Sequence, residues 1–234
     1  NKWLSEMGVC SKKQADQLIA DGRVLVNGNP AILGMKITLD ALVTVDGVVI
    51  KRRPKPVFLL YHKPVGVICT HDVSVKNNID EALKYPNRVF AVGRLDKESE
   101  GLLLLTNQGD VVNKLMRSEN KHVKTYKVWV DKSITPEFIH QMSQGVAILH
   151  TTTLPCPVQK ISETCFQIEL IQGLNRQIRR MCKALGYRVE RLQRTHIMNL
   201  SLVGLKVGDC RELNAGEERE LLISLKHSEN RPNT

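Results

Sequence analysis

The pattern of apolar and polar positions separates the first 50 residues from the rest of the chain. Within them, an apolar stripe at helical spacing follows Ser11 and Gln14, which have the spacing of a capping box. Asn27-Gly28 and Asp46-Gly47 each lie between short alternating segments, a pattern that is typical of type I′ hairpin turns. The pattern therefore predicts a unit of two short helices and a small hairpin sheet over residues 1–50.

From residue 57 onward, predicted strands and helices follow one another without regular alternation. Strands are predicted at 57–61, 88–95, 102–105, 126–130 and 166–171, and helices are predicted to end at 116, 142 and 185. Because the order is irregular and hairpin signals are common, we expect an α+β fold with a mixed, mostly antiparallel sheet rather than a doubly wound fold. We expect this domain to span 57–226, after a basic, proline-containing linker at 51–56 and before a polar tail at 227–234.

The formal net charge is +10, which favours a polyanionic partner, and nucleic acid before an anionic membrane. Many soluble proteins carry a similar excess without binding nucleic acid, and the cations at 51–56 fit either simple solvation or phosphate contacts. No apolar run reaches the ~18 residues that a membrane span requires. The six cysteines show no zinc-ligand spacing, so we expect reduced thiols, no metal and a cytoplasmic protein.

A polar loop carries the first candidate for chemistry. Residues 93–101 begin and end with glycine, hold several charges and lie between two apolar segments. Glycines allow tight turning, and a loop clasped between buried strands holds a carboxylate such as Asp96 firmly, as a catalytic group needs. An ordinary hairpin loop with solvated charges would give the same pattern, so the pattern alone leaves both interpretations open.

The start of a basic helix is the second candidate. In the helix predicted at 176–185, Ile178 lies on an apolar face, Arg176 and Arg180 lie on the opposite face, and Arg179 is at the border. Cations in the first turn oppose the helix dipole, an arrangement that a nearby carboxylate or phosphate would favour. The fork of Arg179 is suited to grip a carboxylate in two bonds. A basic surface helix remains the alternative.

Motifs of several other enzyme classes do not occur in the sequence. It contains no G-x-x-x-x-G-K-[ST], G-x-G-x-x-G or H-E-x-x-H motif, which argues against a nucleotide cofactor and a zinc protease site. No serine or cysteine nucleophile has a histidine partner nearby in the sequence, although a triad assembled in space remains open. Two short segments, 63–66 and 124–126, are weak signals by themselves.

Together, four segments resemble the motifs of the pseudouridine synthases, specifically of the RsuA/RluB/RluE/RluF branch. The segments are 63–66, 93–106, 124–126 and 173–181. Residues 1 to about 50 also resemble an S4 RNA-binding domain, so the resemblance covers nearly the whole chain. Ser99 stands where many relatives have threonine and Gln108 where aspartate is common, and neither departure affects the catalytic assignment.

The resemblance implies an enzyme that isomerises a specific uridine to pseudouridine in 23S (large-subunit) ribosomal RNA. Asp96 would be the catalytic carboxylate, either attacking C1′ of the ribose or removing the 2′ proton, and the sequence does not choose between these steps. Arg179 would pair with Asp96, and Tyr126 would stack on the flipped-out base and help to remove its C5 proton. Leu95 and Ile178 would wall the pocket. Because nothing is oxidised and no group arrives or leaves, no cofactor is expected.

Basic side chains are expected to hold the RNA backbone. The resemblance and the charge pattern single out Arg94, Lys97, Lys124, Arg176 and Arg180 around the catalytic site, and Lys2, Lys12, Lys13 and Arg23 in the S4-like unit. Simple solvation remains the alternative for each of the surface cations. The expected partner is ribosomal RNA, or another structured RNA such as tRNA, bound by a monomer that does not associate with a membrane.

Two other functions fit parts of the sequence. A non-catalytic S4-type rRNA-binding or ribosome assembly factor would need only the S4-like unit and the basic charge. A different glycosidic-bond enzyme would need a second carboxylate about 5–10 Å from Asp96, for which Glu98 and Glu100 are the nominal candidates. A non-catalytic RNA-binding protein does not need a carboxylate near the RNA phosphates, so the sequence favours the isomerase.

Overall fold

The computed structural model describes residues 1–38, 40–50, 55–116 and 122–229. Most of the predicted linker, residues 51–54, lies outside the described residues, and so does the end of the predicted tail, residues 230–234. Among the described helices, none combines the length and the apolar character that crossing a membrane requires.

The first unit contains two helices and a four-stranded antiparallel sheet. Its elements are α1 (Lys2–Glu6), α2 (Lys12–Ala20), β1 (Val24–Val26), β2 (Asn29–Pro30), β3 (Val43–Val45) and β4 (Val48–Val49), with the strand order β2-β1-β3-β4. The predicted capping box is present, since the Gln14 amide donates to Ser11 Oγ at 3.1 Å and the Ser11 amide donates to Gln14 Oε1 at 2.9 Å. Asn27-Gly28 and Asp46-Gly47 take positive φ at both positions, as the predicted type I′ turns require.

A nine-stranded mixed sheet forms the centre of the remaining chain. Its strands are β5 (Phe58–Lys63), β6 (Phe90–Ala91), β7 (Glu100–Thr106), β8 (Lys124–Val130), β11 (Val158–Lys160), β12 (Cys165–Leu170), β13 (Val189–Ile197), β14 (Leu200–Ser201) and β15 (Cys210–Glu212). The main path is β11-β12-β8-β13-β7-β5-β15, with β14 paired to β13 and β6 paired to β7. Within this sheet β13 and β7 are parallel and the other described pairs are antiparallel, so the predicted fold class is confirmed.

Helices cover the sheet in separate groups. They are α3 (Ile79–Leu83), α4 (Gly109–Met116), α5 (Pro136–Gln144), α6 (Gln177–Ala184) and α7 (Ala215–Glu229), and a small hairpin of β9 (Ala147–Ile148) and β10 (Thr151–Thr152) follows α5. One core joins α5 and α6 to the sheet through Phe138, Phe166 and Met181. A second core joins α4 and α7 to it through Leu104 and Leu221. Helix α6 is thereby fixed against the strands on which the candidate site is built.

Strand β7 is buried on both of its faces. Leu102 and Leu104 belong to the core that includes α4 and α7, whereas Leu103 and Leu105 belong to another core that includes Ile79 of α3. Each of these four leucines is 0% exposed. A continuous apolar run is the pattern expected of such a strand. The polar loop that precedes β7 therefore ends on a rigid support.

Three parts of this architecture differ from the prediction. The strand predicted at 88–95 is limited to Phe90–Ala91, because Gly93 takes a φ of 78° and turns the chain into a loop. Strand β13 was not predicted, since charged and polar side chains dominate its sequence. Helix α7 was not predicted either, and it continues to Glu229, three residues into the predicted polar tail.

Candidate active site

A cleft of about 290 Å³ lies beside the loop that precedes β7. Distant segments of the chain meet there, namely the 93–99 loop, the beginnings of β8 and α6, the 170–174 loop and the middle of β13. The predicted site residues that line it are Arg94, Leu95, Asp96, Lys124, Tyr126, Arg176, Ile178 and Arg179. The other predicted RNA contacts are not part of its lining; they are Lys97, Arg180, Lys2, Lys12, Lys13 and Arg23.

Hydrogen bonds within the loop and from the 63–66 segment hold the loop that carries Asp96. The Ser99 amide donates to the Asp96 carbonyl at 3.0 Å, and the Gly66 amide donates to the Lys97 carbonyl at 2.7 Å. The ammonium of Lys63 donates to the Ser99 carbonyl at 2.8 Å. The 63–66 segment, a weak signal in the sequence, thus fixes the loop from the end of β5.

The ammonium of Lys63 is buried inside the protein beside this loop. The residue is 0% exposed, and its ammonium also donates to the Pro64 carbonyl at 2.9 Å. Burial lowers the pKa of Lys63, whereas the negative charges of Asp96 and Glu100 act in the opposite direction. Two carbonyl acceptors and nearby carboxylates therefore compensate a charge that would otherwise be costly to bury.

The carboxylate of Asp96 forms an ion pair with Arg176, with 3.9 Å between Oδ2 and Nη1. The expected pair between Asp96 and Arg179 is not formed in the described structure, so that prediction was wrong in its partner. The Asp96 side chain is 36% exposed, and it lines the cleft. A ligand that enters the cleft can therefore reach the carboxylate without displacing protein atoms.

The guanidinium of Arg179 instead binds the backbone around the loop. Its Nη2 donates to the Glu98 carbonyl at 3.0 Å and to Ser99 Oγ at 3.2 Å, and its Nη1 donates to the Val189 carbonyl at 3.4 Å. Burial and the charge of Arg176 lower the pKa of Arg179, while the nearby carboxylates raise it. Arg179 therefore holds the loop that carries Asp96 and not the carboxylate itself.

The first turn of α6 faces two carboxylates. Arg176, in the left-handed region at φ 50°, donates from Nη1 to Glu98 Oε2 at 2.9 Å as well as pairing with Asp96. The hydrogen bond from Arg176 lowers the pKa of Glu98, so Glu98 is ionised at neutral pH. These two anions account for the cations at a helix start, where the dipole disfavours positive charge.

Two predicted RNA contacts, Arg180 and Lys97, do not line the cleft. Arg180 folds back on its own loop, donating from Nε to the Asn175 carbonyl at 3.0 Å and from Nη2 to Asn175 Oδ1 at 3.1 Å. Lys97 is exposed on the 93–99 loop. Both remain near the cleft but do not contribute to its walls.

The wall formed by β8 carries the predicted aromatic residue. Tyr126 is half-buried, packs against the core around α5 and α6, and lines the cleft. The side chains of Leu95 and Ile178 are buried and line the same cleft. The cleft therefore combines one reachable carboxylate with an aromatic ring and apolar walls.

Sequence reasoning missed two basic residues of the cleft, Arg194 and His122. Arg194 donates from Nε to the Leu102 carbonyl at 2.7 Å, and its buried Nη2 has no hydrogen-bond partner among the described residues. His122 Nε2 is likewise buried without a described partner. The alternating polar positions 122, 124 and 126 could have indicated the cleft residues of β8 and of the segment before it. No local pattern indicated Arg194.

In the first unit, the predicted RNA contacts differ in whether a carboxylate already pairs with them. Arg23 binds Asp46 through two hydrogen bonds of 2.8 and 2.6 Å, so its charge is already compensated. Lys2 forms an ion pair at 3.5 Å with the glutamate four residues further on. Lys12 and Lys13 are exposed in the first turn of α2. The two adjacent lysines are the better candidates for phosphate contacts.

Comparison with known protein families finds two matches along the chain. The family described as "RNA pseudouridylate synthase" matches residues 57–184, and the family described as "S4 domain" matches residues 1–43. The first match includes the 93–99 loop, β8 and all of α6, and so covers the elements that carry Asp96, Tyr126 and Arg179.

Curated proteins and solved structures give consistent similarities. The chain is 46% identical to "Dual-specificity RNA pseudouridine synthase RluF" of Escherichia coli (strain K12), over 97% of this chain and 79% of that protein. It is 36% identical to "Ribosomal large subunit pseudouridine synthase B" of Bacillus subtilis (strain 168), over 98% and 97% of the two chains. A solved structure entitled "Crystal structure of pseudouridylate synthase" shares the fold with a TM-score of 0.69 at 23% identity, covering 94% of this chain and 97% of that one.

Proposed function

Because this chain belongs to the RNA pseudouridylate synthase family, we propose that it converts a specific uridine of large-subunit (23S) ribosomal RNA to pseudouridine, with Asp96 as the catalytic carboxylate. The observation that carries the proposal is the Asp96 carboxylate, which opens into the cleft on a loop held by Lys63 and Gly66. The name of the Bacillus subtilis relative states a large-subunit ribosomal target, and that of the Escherichia coli relative states dual specificity. A second structured RNA, such as a tRNA, is therefore part of the proposal.

The reaction is an internal rearrangement of the nucleotide. It breaks the N1–C1′ bond, turns the detached uracil and joins C5 to C1′; C5 loses its proton and N1 ends with one. Asp96 either bonds to C1′, and this bond breaks when C5 joins C1′, or it removes the 2′ proton to give a glycal and returns a proton to C2′ when C5 joins C1′. Both routes use the same carboxylate. Arg176, in ion-pair contact with Asp96, supplies the compensating positive charge.

The other residues of the cleft position Asp96 and the base, or exclude water from them. Arg179 positions Asp96 by binding the backbone of its loop. Tyr126 stacks on the extruded base and helps to remove the C5 proton, while Leu95 and Ile178 exclude water from the apolar walls. A base seated against these walls would displace water, which strengthens the electrostatic contacts inside the site.

Removing the uridine from its stack costs a few kcal/mol, which RNA contacts must offset. Exposed cations beside the cleft are placed to hold the distorted backbone; they are Arg94, Lys97, Arg176 and Arg180. The half-buried Lys124 lines the cleft itself and is placed to contact the target nucleotide. In the S4 domain we assign the same role to Lys2, Lys12, Lys13 and Arg23, with the smallest share for Arg23 because Asp46 already binds it. Since residues of one chain complete the cleft, we propose a monomer, acting in the cytoplasm.

The structure weakens both rival functions. A non-catalytic RNA-binding factor would not need a reachable carboxylate on a loop that several hydrogen bonds hold. A glycoside hydrolase would need a second carboxyl group as proton donor. Glu98 is held ionised by Arg176, and Glu100 is paired with Arg191 at 2.6 Å, so neither is free for that role.

The proposal is tested by incubating the protein with ribosomal RNA and mapping new pseudouridines by carbodiimide-stop primer extension. Asp96→Asn is expected to abolish the new stops and to leave RNA affinity largely unchanged. Glu190→Gln is a matched control, because this carboxylate is exposed and outside the cleft. Substantial turnover by Asp96→Asn, or no pseudouridine from the wild-type protein, would contradict the proposal.

A further inference from the structure

Three basic side chains, from Arg194, Lys124 and His122, form a basic cluster beside Tyr126. In the antiparallel pair of β8 and β13, Arg194 is the register partner of Tyr126, so their side chains project to the same face of the sheet. Lys124 precedes Tyr126 by two residues in β8 and therefore shares that face. All four side chains line the cleft that also contains Asp96.

The described structure offers the basic cluster no compensating anion. Arg194 is only 2% exposed, and neither Arg194 nor Lys124 forms an ion pair with a described carboxylate. Burial lowers the pKa of Lys124, and the positive charge of Arg194 lowers it further. Burial, together with the charge of Lys124, lowers the pKa of His122. Buried charges are unfavourable unless they are paired, so the cluster is prepared for a negative partner.

We propose that the basic cluster binds the carbonyl oxygens of the target uracil and stabilises the negative charge that the base acquires when its bond to the ribose breaks. This inference rests on the proposed function. When N1–C1′ breaks, its electron pair stays on N1 and spreads to the O2 and O4 oxygens. Arg194 and Lys124 supply positive charge to these oxygens, and His122 supplies a hydrogen bond. The pair then forms the C5–C1′ bond, and C5 loses its proton.

A phosphate of the RNA backbone is the other negative group that could meet the cluster. A phosphate lies between two riboses and stays near the mouth of a cleft, whereas a planar uracil enters edge first. Arg194 is almost completely buried, and it is paired in register with Tyr126, the proposed stacking partner of the base. The buried Nη2 of Arg194, which has no hydrogen-bond partner among the described residues, therefore suits the edge of a base better than a phosphate at the mouth of the cleft.

The arrangement divides the charges that develop in the reaction. Asp96 provides negative charge to the sugar, which becomes electron-poor as the bond breaks. The basic cluster provides positive charge to the base, which becomes electron-rich. Because the groups are already fixed in the walls of the cleft, they stabilise this charge separation more than flexible groups in water would.

Single-turnover kinetics with RNA carrying uridine or 5-fluorouridine at the target position test the inference. Arg194→Gln and Lys124→Gln are each expected to slow the reaction of uridine RNA by about 100-fold, with RNA affinity little changed. Fluorine at C5 stabilises the uracil anion, so both variants should lose less in N1–C1′ cleavage of 5-fluorouridine RNA. Arg194→Lys, which keeps the charge, is expected to recover part of the rate. Arg188→Gln is the control, because the Arg188 side chain is 77% exposed, and it should leave the rate and the RNA affinity unchanged.

Four results would overturn the inference: an unchanged single-turnover rate, an equal loss of rate with both RNAs, no recovery of rate in a folded Arg194→Lys variant, or an equal loss of affinity for RNA with an abasic target. The last of these would assign the cluster to a backbone phosphate. Thermal melting shows whether each variant folds, and the half-buried Lys124 decides the question if Arg194→Gln does not fold. An active Asp96→Asn variant would instead remove the proposed function itself. An inactive Asp96→Asn beside a fully active Arg194→Gln would remove only the role of the cluster.

Discussion

The guanidinium of Arg179 donates to the carbonyl oxygen of Glu98 at 3.0 Å, and so holds the backbone of the 93–99 loop rather than the Asp96 carboxylate. The ion pair with Asp96 comes from Arg176, three residues earlier. Two arginines at one helix start therefore have separable tasks. Arg179 positions the carboxylate through the loop, and Arg176 compensates its charge.

Arg179→Lys is expected to lower kcat about tenfold to hundredfold, because one ammonium cannot bind Glu98 and Ser99, as Nη2 does, and also the Val189 carbonyl, as Nη1 does. KM for the RNA should change little, since Arg179 is proposed to act on the loop and not on the RNA. Steady-state kinetics measure both quantities, and thermal melting checks folding. Arg188→Lys, in which an exposed arginine is changed in the same way, serves as the control. A fully active Arg179→Lys variant would exclude the positioning role.

The pKa of Glu98 depends on its hydrogen bond with Arg176. The hydrogen bond from Arg176 lowers the pKa of Glu98 from its ordinary value of 4.5. A carboxylate with a lowered folded pKa contributes stability above its unfolded pKa and loses that contribution as the pH falls through the folded value. Arg176→Gln is expected to move the pKa of Glu98 upward, measured by carbon-13 NMR of the carboxyl group. An unchanged midpoint would show that the bridge does not persist in solution.

Gly101→Ala is expected to destabilise the fold by about 3 kcal/mol or more. A Cβ at this position would lie 2.3 Å from the Arg194 carbonyl oxygen, and the backbone φ of 114° is unfavourable for alanine. Gly109→Ala is the matched control, since its Cβ meets nothing within 4 Å, and it should be neutral or slightly stabilising. Urea unfolding followed by circular dichroism measures both changes. Equal stability of the two variants would contradict the close approach of β7 and β13.

RNA affinity is expected to fall steeply as the salt concentration rises, because cations of the protein displace counterions from phosphates. Lys12→Gln and Lys13→Gln should each reduce the slope of log affinity against log salt by about one. Arg23→Gln should reduce it by less, because Asp46 already compensates that charge. Filter binding over a salt series gives the slopes. A flat response of the wild-type protein would argue against phosphate-dominated binding.

Local patterns predicted the elements whose stability is decided by neighbours in the sequence. The Ser11 capping box, the Asp46-Gly47 turn and the buried run of β7 follow from side chains within a few positions of one another. The apolar face of α6 followed from helical spacing in the same way, and Ile178 is buried as expected. Asp96 was recognised because its motif is contiguous.

Contacts between distant segments were not predicted. Strand β13 is central in the sheet, yet it carries Arg191, Gln193 and Arg194, and the burial of Arg194 depends on partners from other segments. The assignment of Arg179 to Asp96 failed for the same reason. The sequence indicates that a guanidinium of the helix start is close to the loop, but the folded positions of Arg176 and Arg179 decide which of them pairs with Asp96.

Strand β13 lies between β8 and β7, although it follows both of them in the chain. Strand β8 and strand β7, which support the two walls of the cleft, are therefore not joined until residues 189–197 have been synthesised. The S4 domain, which precedes them, can fold earlier during synthesis, because domains fold in order as they leave the ribosome. A growing polypeptide would thus acquire affinity for RNA before it acquires activity, and ribosome-bound chains that end before Val189 are expected to be inert as catalysts.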